Sequence, residues 1–252
     1  MTESMTTSSL FRSRLSSAGC LALVALLSAC RGIDPGPLPT STQAGAIYAA
    51  LPEQIDPSAR YLIYVHGKII EDQGLPAISP IFGEYRYQDI LEAFQQAGFQ
   101  VISEIRQKGT DATSYAEHLA SQVKQLLQAG VPADRITIVG ASQGAGIVIY
   151  ASHLLGEPEL NYVLLAICNP DEVRQMIRDQ ISLSGNVLSI YDQGDEYAGS
   201  CADLFSYSAG KGLANSDEIQ LSMELGHGLL YQPYPEWTEP VIHWALGQTA
   251  PY

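Results

Sequence analysis

From Tyr61 onward, short apolar runs alternate with segments of helical periodicity, and no other feature restricts the fold as strongly. Strand-like runs fall at 61–66, 99–105, 136–140, 162–168, 187–192 and 219–225. Helical patterns occupy 87–97, 114–129, 144–155, 172–181 and 236–246. Alternation of this kind builds parallel βα units. Most of the strand runs are continuously apolar rather than alternating, as strands covered on both faces must be. The expectation is therefore one α/β domain, a three-layer α/β/α sandwich around a mostly parallel sheet. Ala97-Gly98 and Ala129-Gly130 read as helix ends at which glycine accepts a positive φ. The stretch 169–186 has room for one short helix and no large cap domain.

The chain ahead of this domain has a different character. Arg12 and Arg14 precede an apolar run from Ala18 to Leu27, too short to span a bilayer, which takes about 20 apolar residues. The run closes on Leu27-Ser28-Ala29-Cys30, which resembles a bacterial lipobox. That resemblance implies a lipoprotein signal peptide over 1–29, cleavage before Cys30 and lipid on its sulfur. Because Arg31 follows the cysteine, the resemblance further implies an exported protein held on the outer membrane and facing the periplasm. Residues 30–44 include Pro35, Gly36, Pro37 and Pro39 and read as an extended tether. The folded domain is expected over 45–252.

Composition excludes several function classes. With 46% hydrophobic residues the chain can bury a core, and its formal charge of −14 argues against nucleic acid as a partner, since phosphate binding needs a basic surface. The leader carries only Arg12, Arg14 and Glu3, so the mature chain stays acidic. No Rossmann glycine pattern or Walker motif is present, and no nucleotide cofactor is implied. Glu71 and Asp72 near His66 match no familiar metal-ligand spacing, and no metal site is assigned. Four cysteines occur. With Cys20 in the leader and Cys30 lipidated, Cys168 and Cys201 remain, which suggests one disulfide in an oxidising compartment.

The chemistry-bearing segment is Gly140-Ala141-Ser142-Gln143-Gly144, a GxSxG pattern between an apolar strand and an apolar helix. A strand entering a helix through so tight a turn needs small residues around the serine, whose hydroxyl it holds out at the strand's C-terminal end. At this point the chain resembles the α/β-hydrolase family from Tyr61 to its C-terminus. The run from Tyr61 to Gly67 is similar to that family's strand ending in His-Gly, which supplies a backbone donor to an oxyanion hole. The resemblance implies oxyanion donors at the amides of Lys68 and Gln143, although the 68–74 loop lacks the usual glycine run. His66 is read as a structural histidine of that loop.

A serine nucleophile needs an imidazole to take its proton and a carboxylate to orient the imidazole, and the family's chain order is serine, acid, histidine. His153 lies about 16 Å along the helix from Ser142 at about 1.5 Å per residue, and His243 sits inside the last helical pattern. His227, in the loop Gly226-His227-Gly228, occupies the position the family gives its base. Asp195 is the favoured acid, with Asp192 as a turn residue or the alternative acid. A disulfide between Cys168 and Cys201 would tie down the loop bearing the acid.

The segment 76–89, with Phe82 and Tyr85, either borders the site or is an ordinary surface loop. Arg106 and Lys108 read as solvated loop charges, with capture of an anionic group as the other reading. Together these features imply hydrolysis of an acyl ester or thioester through an acyl-enzyme on Ser142. A peptidase of the same fold is the near alternative, and a non-catalytic envelope binding module the distant one. Beyond the acyl substrate and the membrane reached through Cys30, the sequence implies no partner and is silent on oligomeric state.

Overall fold

A computed structural model describes residues 45–248. The leader expected over 1–29, the lipid site at Cys30 and the whole tether over 30–44 lie outside the described residues. In chain order the elements are β1 (Ala46–Tyr48), β2 (Tyr61–Val65), α1 (Lys68–Gln73), a small hairpin of β3 (Ile78–Ser79) and β4 (Gly83–Glu84), α2 (Tyr87–Gln96) and β5 (Gln100–Ile102). They continue with α3 (Ala112–Gln128), β6 (Ile136–Ala141), α4 (Gln143–Leu155), β7 (Asn161–Leu165), α5 (Pro170–Arg178), β8 (Gly185–Asp192), α6 (Ala202–Ser208), β9 (Leu213–Leu221) and α7 (Pro235–Ala245). The main sheet has seven strands in the order β1-β5-β2-β6-β7-β8-β9, all parallel.

The pleat sends successive side chains of each central strand to opposite layers. Tyr61, Ile63 and Val65 of β2, Ile136 and Ile138 of β6, and Tyr162 and Leu164 of β7 pack on one face, against α3, α4, α5 and α6. Leu62 and Tyr64, Val139 and Ala141, and Val163 and Leu165 pack on the other, against α1, α2 and α7. All residues of β2, β6 and β7 are buried, so both faces of the middle of the sheet are dry and the strands read as unbroken apolar runs. The connection between β7 and β8 holds only α5, and no separate cap is inserted there.

The structure adds elements the sequence reading lacked, the β3–β4 hairpin and α6 among them, and it redraws others. Within the expected 68–74 loop, Lys68–Gln73 form helix α1: Ile70 and Glu71 turn inward, and Gly74 caps its end at φ 74°. The last strand begins at Leu213, six residues earlier than its apolar end suggests, because β9 is an edge strand with its 214–217 stretch exposed. Ala46–Tyr48 adds an opposite edge strand too short to announce itself.

Topology locates the functional edge. From β2 the chain steps outward to β5, then crosses back over β2 to β6 and proceeds the other way. Loops after β2 and β6 therefore diverge at a reversal of strand order, where open α/β sheets form a crevice at the carboxyl ends of their strands.

Candidate active site

Ser142 occupies the turn between β6 and α4 with φ 52° and ψ −122°, a conformation a non-glycine residue adopts only when its surroundings impose it. The imposition is steric. A Cβ at Gly144 would stand 2.0 Å from the Val65 carbonyl oxygen, and one at Gly140 would stand 2.5 Å from the Ala145 Cα. Glycine at both positions lets the start of α4 lie directly against β2 and β6. The Ser142 amide donates to the Leu165 carbonyl at 2.9 Å, which fastens the turn to β7.

Three elements bring three side chains together. The Ser142 hydroxyl donates to His227 Nε2 at 2.9 Å, and His227 Nδ1–H donates to Asp195 Oδ2 at 2.8 Å. Asp195 follows β8; its side chain is fully buried while His227 keeps 16% of its side-chain surface exposed. The other carboxylate oxygen, Oδ1, accepts from the Tyr197 amide at 2.8 Å. Asp192 takes a different part: its two oxygens accept from the amides of Gly194, at 3.1 Å, and Leu225, at 3.0 Å. It pins the acid-bearing turn to the start of the histidine loop, and Gly226, where a Cβ would meet the Gly194 carbonyl oxygen at 3.0 Å, allows the two loops to touch.

Cys168 and Cys201 are joined, with an S–S distance of 2.03 Å. The bridge links the segment after β7 to the start of α6 and closes the loop that carries Asp195. His153 and His243 stand apart from the serine: His153 Nδ1 accepts from the Ser182 amide at 3.3 Å, and His243 pairs with Gln248 at 3.1 Å.

On the β2 side, Gly67 lies close enough to the nucleophile that a Cβ on it would sit 3.5 Å from Ser142 Cβ. Lys68 and Gln143 are the first residues of α1 and α4, where amides have no preceding helical carbonyl to bond. His66 is fully buried; its Nδ1–H donates to the Gly67 carbonyl at 2.8 Å and its Nε2 accepts from the Arg106 amide at 2.9 Å. Burial, with the neighbouring Arg106 charge second, lowers its pKa to about 4. The neutral ring that results is the form these two bonds require.

Arg106 is not a solvated loop charge. Its side chain is wholly buried, where Nε donates to Glu71 Oε2 at 3.2 Å and Nη2 to the His66 carbonyl at 2.6 Å. Nothing in the local sequence distinguishes it from the exposed Lys108, since its partners lie 35 and 40 positions away. Of two aromatic neighbours of the histidine loop, Tyr197 was equally hidden in the sequence, whereas Phe82 belongs to the 76–89 segment already considered as a border. Tyr197, 63% exposed, stands edge-on to the His227 ring at 5.4 Å, and Phe82 of the hairpin turn packs where a Gly228 side chain would be. The 76–89 segment thus borders the site. Among the described residues no three His, Cys, Asp or Glu side chains converge as a metal ion would require.

No protein-family model and no curated protein matches the sequence. Solved structures do match. Est1E from Butyrivibrio proteoclasticus, in its complex with ferulic acid, aligns with a TM-score of 0.51 at 15% identity, over 79% of this chain and 92% of that one. Dipeptidyl peptidase 4 of Porphyromonas gingivalis aligns with a TM-score of 0.50 at 13% identity, over 77% of this chain and 32% of that chain. Esterase PE8 aligns with a TM-score of 0.49 at 16% identity, over 79% and 99% of the two chains. The fold is that of the α/β-hydrolases. At such identities the likeness concerns the fold, and the chemistry rests on the side chains. In this hydrolase fold Ser142 follows β6, Asp195 follows β8 and His227 follows β9, each at the carboxyl edge of a strand.

Proposed function

We propose that this protein is a serine hydrolase that cleaves acyl esters or thioesters through an acyl-enzyme on Ser142. The observation that carries the proposal is the relay from the Ser142 hydroxyl to His227 at 2.9 Å and from His227 to a fully buried Asp195 carboxylate at 2.8 Å. Such a chain selects the imidazole tautomer that can accept the serine proton and stabilises the imidazolium that follows.

In the first half-reaction Ser142 Oγ attacks the acyl carbonyl carbon while its proton passes to His227 Nε2. The oxyanion faces the amides of Lys68 and Gln143, whose fixed dipoles favour the tetrahedral species over the planar ester. Collapse expels the alcohol or thiol, which leaves with the proton from His227. Water then enters, gives one proton to His227 and attacks the acyl carbon. Collapse of this second tetrahedral species returns that proton to Ser142 and releases the carboxylic acid. The sequence of steps balances without a metal or organic cofactor.

An open edge bordered by Tyr197 and Phe82 suits a compact acyl group offered from solution. The lipobox at Cys30 supports an exported protein held by lipid on the outer membrane, with the domain in the periplasm.

The test is hydrolysis of p-nitrophenyl esters of increasing chain length by the full-length protein in detergent, with Ser142→Ala as control, alongside labelling by a fluorophosphonate. Ester turnover and labelling that vanish in Ser142→Ala are expected, with kcat lower by at least about 10⁴-fold. Labelling without ester turnover, joined to cleavage of peptide p-nitroanilides, would replace the esterase reading by a peptidase one. Equal labelling of both proteins would end the hydrolase reading.

A further inference from the structure

We propose that Arg106 is a positioning residue of the hydrolase site, holding the two proposed oxyanion donors at their working separation. The inference rests on the serine hydrolase reading. One guanidinium reaches acceptors on three separate segments. Nε donates to Glu71 of α1 at 3.2 Å; Nη2 donates to the carbonyl of His66, after β2, at 2.6 Å and to the side-chain oxygen of Gln143, first residue of α4, at 3.4 Å. The Arg106 amide adds a fourth tie, donating to His66 Nε2 at 2.9 Å.

These contacts bracket the reacting centre. Lys68 lies between His66 and Glu71 in the chain, and Gln143 directly follows the nucleophile. Movement of α1 away from α4 would widen the gap between the two amides, and Arg106 opposes it by gripping both sides. Side-chain exposures of 0% for Arg106 and 1% for Glu71 place the pair in a medium where it does not exchange with water. The Tyr115 ring, 5.4 Å from the guanidinium carbon, is a further neighbour, and Nη1 is buried with no hydrogen-bond partner among the described residues. A buried cation that leaves one donor unsatisfied is a poor device for stability alone. A planar fork that sets the distance between two segments is a reason to keep it.

Arg106→Lys tests this, because an ammonium keeps the charge but cannot span the same acceptors. Full-length wild type, Arg106→Lys and Ser142→Ala are compared by circular dichroism, by kcat and KM on p-nitrophenyl butyrate, and by Ki for phenylboronic acid, whose serine adduct carries an oxygen into the oxyanion site. The expected result is a folded variant with kcat lower by about 10- to 100-fold, KM within about threefold, and Ki raised by a factor similar to the loss in kcat. A purely structural arginine would lower the melting temperature and leave kcat and Ki unmoved.

A folded Arg106→Lys with kcat and Ki within twofold of wild type overturns the proposal, as does a fall in kcat with unchanged Ki. If Arg106→Lys does not fold, Glu71→Gln, which keeps the shape of the partner, is read by the same pair of constants and the same criteria. An active wild type silenced by Ser142→Ala keeps the hydrolase reading whatever Arg106 does. A wild type that neither turns over the ester nor labels with a fluorophosphonate at Ser142 removes that reading and this proposal with it.

Discussion

Ser142 is held in its turn by what is missing around it. Gly144 is the sharper of the two glycine constraints, because the atoms a side chain would meet are the carbonyl oxygens of Val65 and His66, at 2.0 and 2.7 Å, and both belong to a central strand end that cannot retreat. Gly144→Ala is expected to push α4 away from β2, destabilising the domain by about 2–3 kcal/mol and lowering kcat by at least about 10²-fold through the displaced serine. Urea unfolding and ester kinetics measure the two effects. Gly146, only four residues past the nucleophile, has nothing within 4 Å of its would-be Cβ; Gly146→Ala should leave both within error, so it is the control. The GxSxG pattern made Gly144 legible in the sequence. Arg106 was illegible by comparison, since its meaning depends on Glu71 and His66, brought to it only by the packing of α1 and β5 around β2.

Among the elements, the loop from Asp192 to Cys201 is the one whose order depends most on cross-links. It leaves β8 and carries the acid, and the ties that hold it include Asp192 bonded to the Leu225 amide, the Gly199 amide donating to the Ile167 carbonyl at 2.9 Å, the Cys201 amide donating to Glu218 at 2.6 Å, and the disulfide to Cys168. A cross-link spanning 33 residues removes unfolded-chain entropy worth about 3–4 kcal/mol on the loop-closure account. The Cys168→Ser, Cys201→Ser double variant is expected to lose about 2–4 kcal/mol in denaturant unfolding. Its kcat should fall further than its KM rises, as Asp195 becomes a looser orienter of His227. Retained kcat in a destabilised double variant would show that the loop's hydrogen bonds hold Asp195 in place without the disulfide. The sequence suggested this pairing because two cysteines remained after the leader and the lipid site were set aside. It did not reveal α1, whose inward residues Ile70 and Glu71 make an apolar-charged pair that no hydrophobic periodicity marks.

At the scale of the molecule, the buried His66 ties stability to pH. Burial and the Arg106 charge hold it neutral down to about pH 4, whereas in the unfolded chain it takes a proton near 6.5. Between those values the unfolded state binds more protons, so stability falls as pH drops through the window. Wild type is expected to lose about 2 kcal/mol more than His66→Gln between pH 7.5 and pH 5, from about 1.4 kcal/mol per pH unit over the part of the window crossed. Urea midpoints for both proteins at the two pH values give the comparison, and equal losses would mean that the ring is protonated in the fold without cost.

What the sequence determined by itself is the set of local patterns that do not depend on a distant partner. Continuous apolar runs imply strands buried on two faces, and small residues around Ser142 imply a tight strand-to-helix turn. Histidine and carboxylate then fall after later strands, in loops that a parallel sheet must gather at one edge. The tertiary structure alone decided the remainder. It showed which of two nearby carboxylates meets His227, because Asp192 and Asp195 differ in the direction a turn sends them and hardly in their surroundings along the chain. It also showed that a polar stretch such as 214–217 is strand, since an edge position leaves those side chains in water while the backbone still pairs with β8. And it turned Arg106 from a loop charge into a buried clamp, because burial of a charge is a property of everything packed around it, and no stretch of sequence contains that.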